Sequence, residues 1–527
     1  MVIKFLIFFL FNNVIFSDKI KNNKYNIIPY DWSNQFGEVL KDGHVIWNND
    51  WNSGNIFFDG TFANFPSTYG PKIENDFLND TIKILGKDTV FSYFDYNQGD
   101  YLLDELAIGS RYVKKERMIE FSAFKRSFVG KNSQYLNSSS TPLQQSYVFN
   151  YQSDNKNDLL LFSLGYFDTN TGLPDSTGSS YLNSKIISSN LCWKNSFKKS
   201  SISLGRNDFL QRYRSDHSLS LTSRSRYLSR ARYYVSYENS LVNNLGFSMY
   251  LEQNIRTVVN TSPKLIKWKN YSINISGNDF FIILGNKLIH EDNNPYYNLI
   301  YSKESKRTKL IFKLISDVNP LHSSFIDNIS ILKDKSYSFE ANSKIWVMNI
   351  RMLVSKGKSS FNYSGINNTS NNIYSLSSTT FKLFPGYNAK IRYIKNLGEG
   401  YSSSGPESEI GLILNGQTKL FKNNLKVYTQ IEVLKINGYN SNFSLNPVEL
   451  IPMRNIDNQP LTNNWGINIS IISKIKNFNI KYKIHNIPQL FLSPNTIDGQ
   501  IFSSIVTPYF PDRGKLISFA VEWHFSD

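Results

Sequence analysis

Residues 477–485 read NFNIKYKIH, and this stretch decides the fold class. Phe478, Ile480, Tyr482 and Ile484 share one parity, and Asn479, Lys481, Lys483 and His485 share the other. Successive side chains of a strand point to opposite faces, so a period of two separates an apolar face from a polar one. A helix would mix the two sets. The pattern recurs along the chain. In 387–393, Tyr387, Ala389, Ile391 and Tyr393 oppose Asn388, Lys390 and Arg392; in 425–433, Leu425, Val427, Ile431 and Val433 oppose Lys426, Tyr428, Gln430 and Glu432. Leu160, Phe162, Leu164 and Tyr166 alternate in the same way, as do Phe247, Met249 and Leu251, and Trp465, Ile467, Ile469 and Ile471. No segment carries a helical period of comparable clarity, so the expected fold is all-β.

Composition agrees. The 527 residues include 32 Tyr and 38 Phe, charged residues are only 19%, and strands and turns suit such a mixture better than helices do. One cysteine, Cys192, excludes an intramolecular disulfide framework and any cysteine-cluster metal site. The net charge of +16 is spread over the whole chain without a nucleic-acid-binding motif, so no nucleic-acid partner is expected. A cationic exported protein more readily meets anionic lipid or anionic solutes.

Connections are of two kinds. Tight polar turns are expected at Lys198-Lys199, Asn423-Asn424 and Lys476-Asn477, and long loops rich in Asn, Ser, Gly and Pro at 130–142, 168–182, 396–408 and 437–462. Short turns alternating with long loops predict a single large antiparallel transmembrane β-barrel with turns on the periplasmic side and loops outside. A propeller would repeat every 40–50 residues or so, and no such repeat is present. The polar faces carry Lys, Arg, Asn and Glu that a packed soluble core would not tolerate cheaply, whereas a wide lumen would. At roughly 20 residues per strand with its share of connection, residues 89–527 predict about 22 strands, within 18–24.

The first 17 residues, MVIKFLIFFLFNNVIFS, place Lys4 before a short apolar stretch that ends at Ser17. They read as a secretory signal peptide, too short to span a bilayer as a helix. Residues 18–88 are Asn-, Asp- and Gly-rich with several Trp, and two expectations stay open for them: a periplasmic extension, or a segment inserted into the lumen. The barrel is expected to begin at 89–96 and to run to residue 527.

The last strand begins near Arg513-Gly514, and Ile517, Phe519, Val521, Trp523 and Phe525 lie opposite Ser518, Ala520, Glu522 and His524. A final amphipathic strand that closes on an aromatic residue resembles the signal read by the barrel assembly machinery of the bacterial (Gram-negative) outer membrane, which points to Phe519, Val521, Trp523 and Phe525 as that signal. The stretch Pro508–Gly514 with the strand after it is similar to the end of TonB-dependent receptor barrels. That resemblance implies an outer-membrane location and solute uptake. It also implies a TonB contact and a folded plug before the barrel, yet residues 18–88 are too few for a full plug and hold no clear TonB box.

The densest charge feature is Arg206, Arg212, Arg214, Arg224, Arg226, Arg230 and Arg232, with Asp208 and Asp216 as the only acids among them. With Leu219 and Leu221 towards lipid, Arg224 and Arg226 would face the lumen. A charge on the lipid face costs about 2–4 kcal/mol at midplane, so the lumen is the expected place for the group. Lys390, Arg392, Lys426, Lys481 and Lys483 would add to an anion-preferring wall. The competing reading pairs these cations with lumenal carboxylates, or sets them against lipopolysaccharide phosphates at the rim. Chemistry has little support. His44, His217, His290, His322, His485 and His524 are scattered, His290-Glu291-Asp292 with the Asn293-Asn294-Pro295 it enters reads as loop, and no nucleophile elbow, P-loop or dinucleotide fingerprint is present. The expected protein is therefore no enzyme, carries no cofactor or metal, and passes small solutes through a porin-like or plug-less receptor-like barrel. The alternative is a barrel that transports nothing and displays loops to glycans or partners.

Overall fold

The alternation of 477–485 becomes the strand Phe478–His485, paired antiparallel with Asn464–Ile475 on one side and Leu516–Ser526 on the other. The computed structural model describes residues 25–28, 38–41 and 44–47 and, from residue 89, the barrel strands with most of their turns. Outside the description lie the rest of 1–88, the stretches 131–132, 134–135, 137–140, 173–180, 215–224, 241–244, 260–262, 321–330, 364–365, 398–405, 440–442, 446–451, 455–463 and 488–514, and a few single positions.

Twenty-two strands close into one barrel, each bonded to its neighbour in the chain. Closure is made by Leu516–Ser526 against Thr89–Gly99, with Ser518 opposite Gly99 and Ser526 opposite Phe91. This leaves no sheet edge, the condition for a backbone to cross hydrocarbon as strands. No α-helix occurs among the described residues.

The two ends of the barrel differ. At the end holding Thr89 and Ser526, ten connections have two to five residues. Lys199, Asn423 and Lys476, from the three predicted tight turns, all sit there with positive φ. Connections at the opposite end range from two residues, His290-Glu291, to thirty, 486–515. The strands reach further into the expected loops than the composition suggests. Asp158–Gly172 and Tyr181–Asn195 leave only 173–180 of the predicted 168–182, and 397–405 remains of 396–408. The connection 440–463 carries a small hairpin, Phe443–Leu445 paired with Pro452–Arg454. Asn293-Asn294-Pro295, read from sequence as loop, lies inside the strand Asp292–Glu304.

The apolar parity faces outward. Leu164, Leu191, Met249, Leu251, Ile391 and Ile471 are all exposed although strongly apolar, which only a lipid-facing surface favours. Trp346, Phe421 and Phe197 stand exposed in turns at the terminal end, and the ring of Trp523 lies 4.5 Å from that of Phe525, as in an interfacial aromatic girdle. Near the start of the chain, Tyr25–Ile28, Glu38–Lys41 and His44–Trp47 form a three-stranded antiparallel sheet, and His44–Trp47 touches the barrel strands Leu143–Asp154, Asp158–Gly172 and Tyr181–Asn195.

Candidate functional site: the inner wall

Inward-facing residues are those of opposite parity to the exposed apolar set. On Ser225–Ser240 the outward Tyr233 and Val235 are 40% and 41% exposed, which turns Arg232 and Tyr234 inward. On Gly246–Val259 the outward Met249 and Leu251 turn Tyr250, Glu252, Asn254 and Arg256 inward. These residues meet. Arg232 lies 3.2 Å from Glu252 and donates from Nη2 to the Tyr250 hydroxyl, which in turn donates to Glu252 Oε2 at 2.5 Å. Asn254 also donates to Glu252. The Tyr234 ring stacks on Tyr250 at 6.2 Å and its hydroxyl donates to Asn190 at 2.8 Å. One strand further on, the Arg256 guanidinium lies 4.9 Å from the Trp268 ring centre.

Glycine makes room for the tyrosines. Gly205 stands opposite Tyr234 in the ladder, and a Cβ there would meet the ring at 2.0 Å. Gly285 under Tyr296 and Gly109 under Tyr93 repeat the device, at 2.3 and 2.2 Å. Each tyrosine lies flat over its neighbour strand instead of projecting into the lumen, the arrangement by which an aromatic covers a strand glycine. The Tyr296 hydroxyl donates to Asn270 at 2.8 Å, and Lys287 sits over the same ring while bonding Asp317 at 2.7 Å. Ile266, Trp268, Ile289 and Val318 form an apolar cluster above this group, towards the long-loop end.

Elsewhere the inner wall is crossed by charge pairs. Arg111 binds Glu120 at 2.6 Å, and Glu120 also accepts from Asn150, itself bonded by Ser163. Arg126 pairs with Glu105, Arg351 with Glu340, and Lys481 with both Asp95 and Glu522. The strands 406–475 differ. Lys419 stands directly opposite Lys426, and Lys426 directly opposite Lys474, a row of three inward lysines near the terminal end. None of the three makes an ion pair with a described residue.

The predicted basic group divides. Arg232, Lys390, Arg392, Lys426, Lys481 and Lys483 occupy inward positions, with Arg232 and Lys481 held in the pairs above. Arg226 and Arg230 share the parity of Arg232. Arg224 lies outside the described residues, as do Leu219, Leu221 and Asp216. Arg206, Arg212 and Arg214 face the other way. They share parity with the exposed Ile202 and Leu204, and the first two lie over the outward rings of Tyr233 and Tyr227 at 5.3 and 5.8 Å. Their assignment to the lumen is corrected on that ground. Two features make an outward place inexpensive: Asp208 binds Arg206 at 2.7 Å, and the cost of a lipid-face charge falls to about 0–1 kcal/mol near the interface. The sequence reading missed Tyr234, Tyr250, Glu252 and Trp268. For Tyr250 and Glu252 the signal is the alternation in Tyr250-Leu251-Glu252-Gln253-Asn254, whose polar parity holds both.

Phe519, Trp523 and Phe525 are outward and exposed on the closing strand, where Phe478 meets Trp523 edge-on. His290 and Glu291 form a two-residue turn with φ of 49° and 73°, and no group of three potential metal ligands occurs among the described residues.

No protein-family model matches the chain, and no curated protein matches it either. Solved structures do. FpvA of P. aeruginosa, solved with a heterologous pyoverdine and iron, superposes with a TM-score of 0.58 at 9% identity, over 95% of this chain and 82% of that one. The copper transporter OprC gives 0.62 at 10%, covering 84% and 81%. The FrpB iron transporter from Neisseria meningitidis gives 0.61 at 8%, covering 86% and 83%. At such identities the likeness is one of fold. A closed barrel of 22 strands with an apolar outer face is a bacterial outer-membrane protein, built on the architecture of outer-membrane receptors.

Proposed function

We propose that the barrel passes solutes across the bacterial outer membrane. The observation that carries this reading is the contrast between its faces: lipid-compatible outside, and inside a wall of bonded charges with a lysine row that makes no ion pair among the described residues. Such a wall is favourable only against water and polar solute. The structural neighbours, FpvA solved with pyoverdine and iron, a copper transporter and an iron transporter, support transport as the general role. The excess of inward lysine supports a preference for anionic solutes.

Residues 18–88 act as a constriction in this reading. Support comes from the strand His44–Trp47, which touches three adjacent barrel strands. On those strands the inward Ser163, Ser188 and Asn190 are buried, while the outward Leu164 and Leu191 stay exposed, which supports a cover on the inner side in this reading. Coupling to TonB would then run through this segment. The second reading, loop display without transport, is favoured by the hairpin-bearing connection 440–463.

Planar-bilayer recording separates the readings. Steady steps from the mature chain, from Asp18 on, would establish an open pore. A folded barrel that is silent, and that conducts once 18–88 is deleted, would establish the constriction. Silence from both forms, with heat-modifiable barrels in each case, would overturn passage and leave display.

A further inference from the structure

The outer surface carries one feature that passage does not use. Across the strands from Phe280 to Ile373 the outward side chains frame an apolar groove of about 740 Å³, with Leu299, Leu314, Tyr337, Phe339 and Val354 among its walls. Phe312 also lines it, its ring 4.8 Å from that of Phe339. At the long-loop end of this groove stand exposed lysines, with Lys335, Lys356 and Lys358 nearer to it in register than Lys333. Lys356 lines it and is directly opposite Tyr337, and Lys335 and Lys358, one step further from the terminal end, are directly opposite each other.

Like charges directly opposed across a ladder destabilise a sheet unless an anion lies between them. Here the protein supplies none. No Asp or Glu occupies a position of the lysines' outward parity on Asp292–Glu304, Thr308–Pro320, Ile331–Ile345, Met348–Tyr363 or the paired part of Ile366–Phe384. None of the three lysines makes an ion pair among the described residues. An apolar slot at hydrocarbon depth, ending in uncompensated positive charge on the side of the long loops, matches one chemistry: an acyl chain joined to a phosphate-bearing head group in the outer leaflet.

We propose that this groove and Lys335, Lys356 and Lys358 bind a phosphorylated, multiply acylated lipid of the outer leaflet, with a chain along the groove and a phosphate between Lys335 and Lys358. The site is independent of the pore.

Native mass spectrometry of the full chain tests it, with bisphosphorylated lipid A, its dephosphorylated form and zwitterionic phosphatidylcholine as probes. Wild-type protein should retain lipid A at a concentration at least tenfold lower than either of the others, with retention falling as salt is raised. The variant K335Q/K356Q/K358Q should lose that preference while staying heat-modifiable. Val354→Trp, which fills the groove, should weaken retention and leave the salt dependence intact. Equal retention of the three lipids by wild-type protein overturns the proposal even if no variant assembles. So does undiminished preference in the lysine variant, or loss of preference only when Arg206, Arg212 and Arg214 are replaced instead.

Discussion

Glu252 is where the inner cluster is held together, because Arg232, Tyr250 and Asn254 all address its carboxylate. Replacing it with Gln leaves a buried guanidinium without its counter-charge, a loss of about 3–5 kcal/mol for a buried pair broken on one side. The expected result for Glu252→Gln is a lower midpoint in urea unfolding of the refolded barrel, with most of the loss recovered in the double variant Arg232→Leu/Glu252→Leu. Gly205 makes a separate demand. In Gly205→Ala the new methyl would overlap the Tyr234 ring, so the ring must leave and the Asn190 bond with it. Overpacking of this kind costs about 1–3 kcal/mol, and adding Tyr234→Ala should relieve it in the same unfolding assay. These partners were only half legible in the sequence. The basic run from 206 to 232 looks like one feature, but antiparallel pairing sets Arg214 opposite Ser225, so equal parity on the two strands means opposite faces. Ile202 and Leu204 already marked the outward parity of the first strand. Leu219 and Leu221, which anchor the lumen expectation, lie outside the described residues.

At the scale of elements, the hairpin at His290-Glu291 is the clearest test of local chemistry. Both residues hold positive φ in a two-residue connection, a conformation that Asn-Gly adopts readily and other side chains resist by about 1–2 kcal/mol each. The double variant His290→Asn/Glu291→Gly should therefore raise the unfolding midpoint by a gain of about 1 kcal/mol. It should change nothing in conductance, which would exclude a chemical role for His290. The elements themselves were legible wherever lipid imposed alternation: Phe478–His485, Gly246–Val259 and the closing strand follow their apolar parity closely. Strand ends were not legible. Asp168 to Gly172 and Asn293 to Pro295 read as loop because Asn, Asp, Thr and Pro favour turns in isolation. Beyond the bilayer the ladder continues without needing apolar residues, so composition there stops reporting on pairing.

For the whole molecule the deciding quantity is the charge left over after pairing. On the inner wall Glu105, Glu120, Glu252, Glu340, Asp95 and Glu522 each meet an Arg or Lys, and these pairs contribute little net field to the lumen. The row Lys419, Lys426 and Lys474 has no such partner among the described residues and stands near the terminal mouth. A ring segment of like charge at a mouth raises the local concentration of counter-ions and sets selectivity more than bore does. In a potassium chloride gradient, open channels should therefore reverse on the anion-selective side, less so as ionic strength rises and screening shortens. Reversing the row with K419E/K426E/K474E should carry the reversal potential to the cation side by a severalfold change in permeability ratio, with single-channel conductance largely kept. If the full chain is silent, the same comparison is made on barrels lacking 18–88. An unchanged reversal potential in the reversed-charge variant would place the selectivity of this barrel elsewhere on the wall, with Lys390 and Lys483 the next positions to replace.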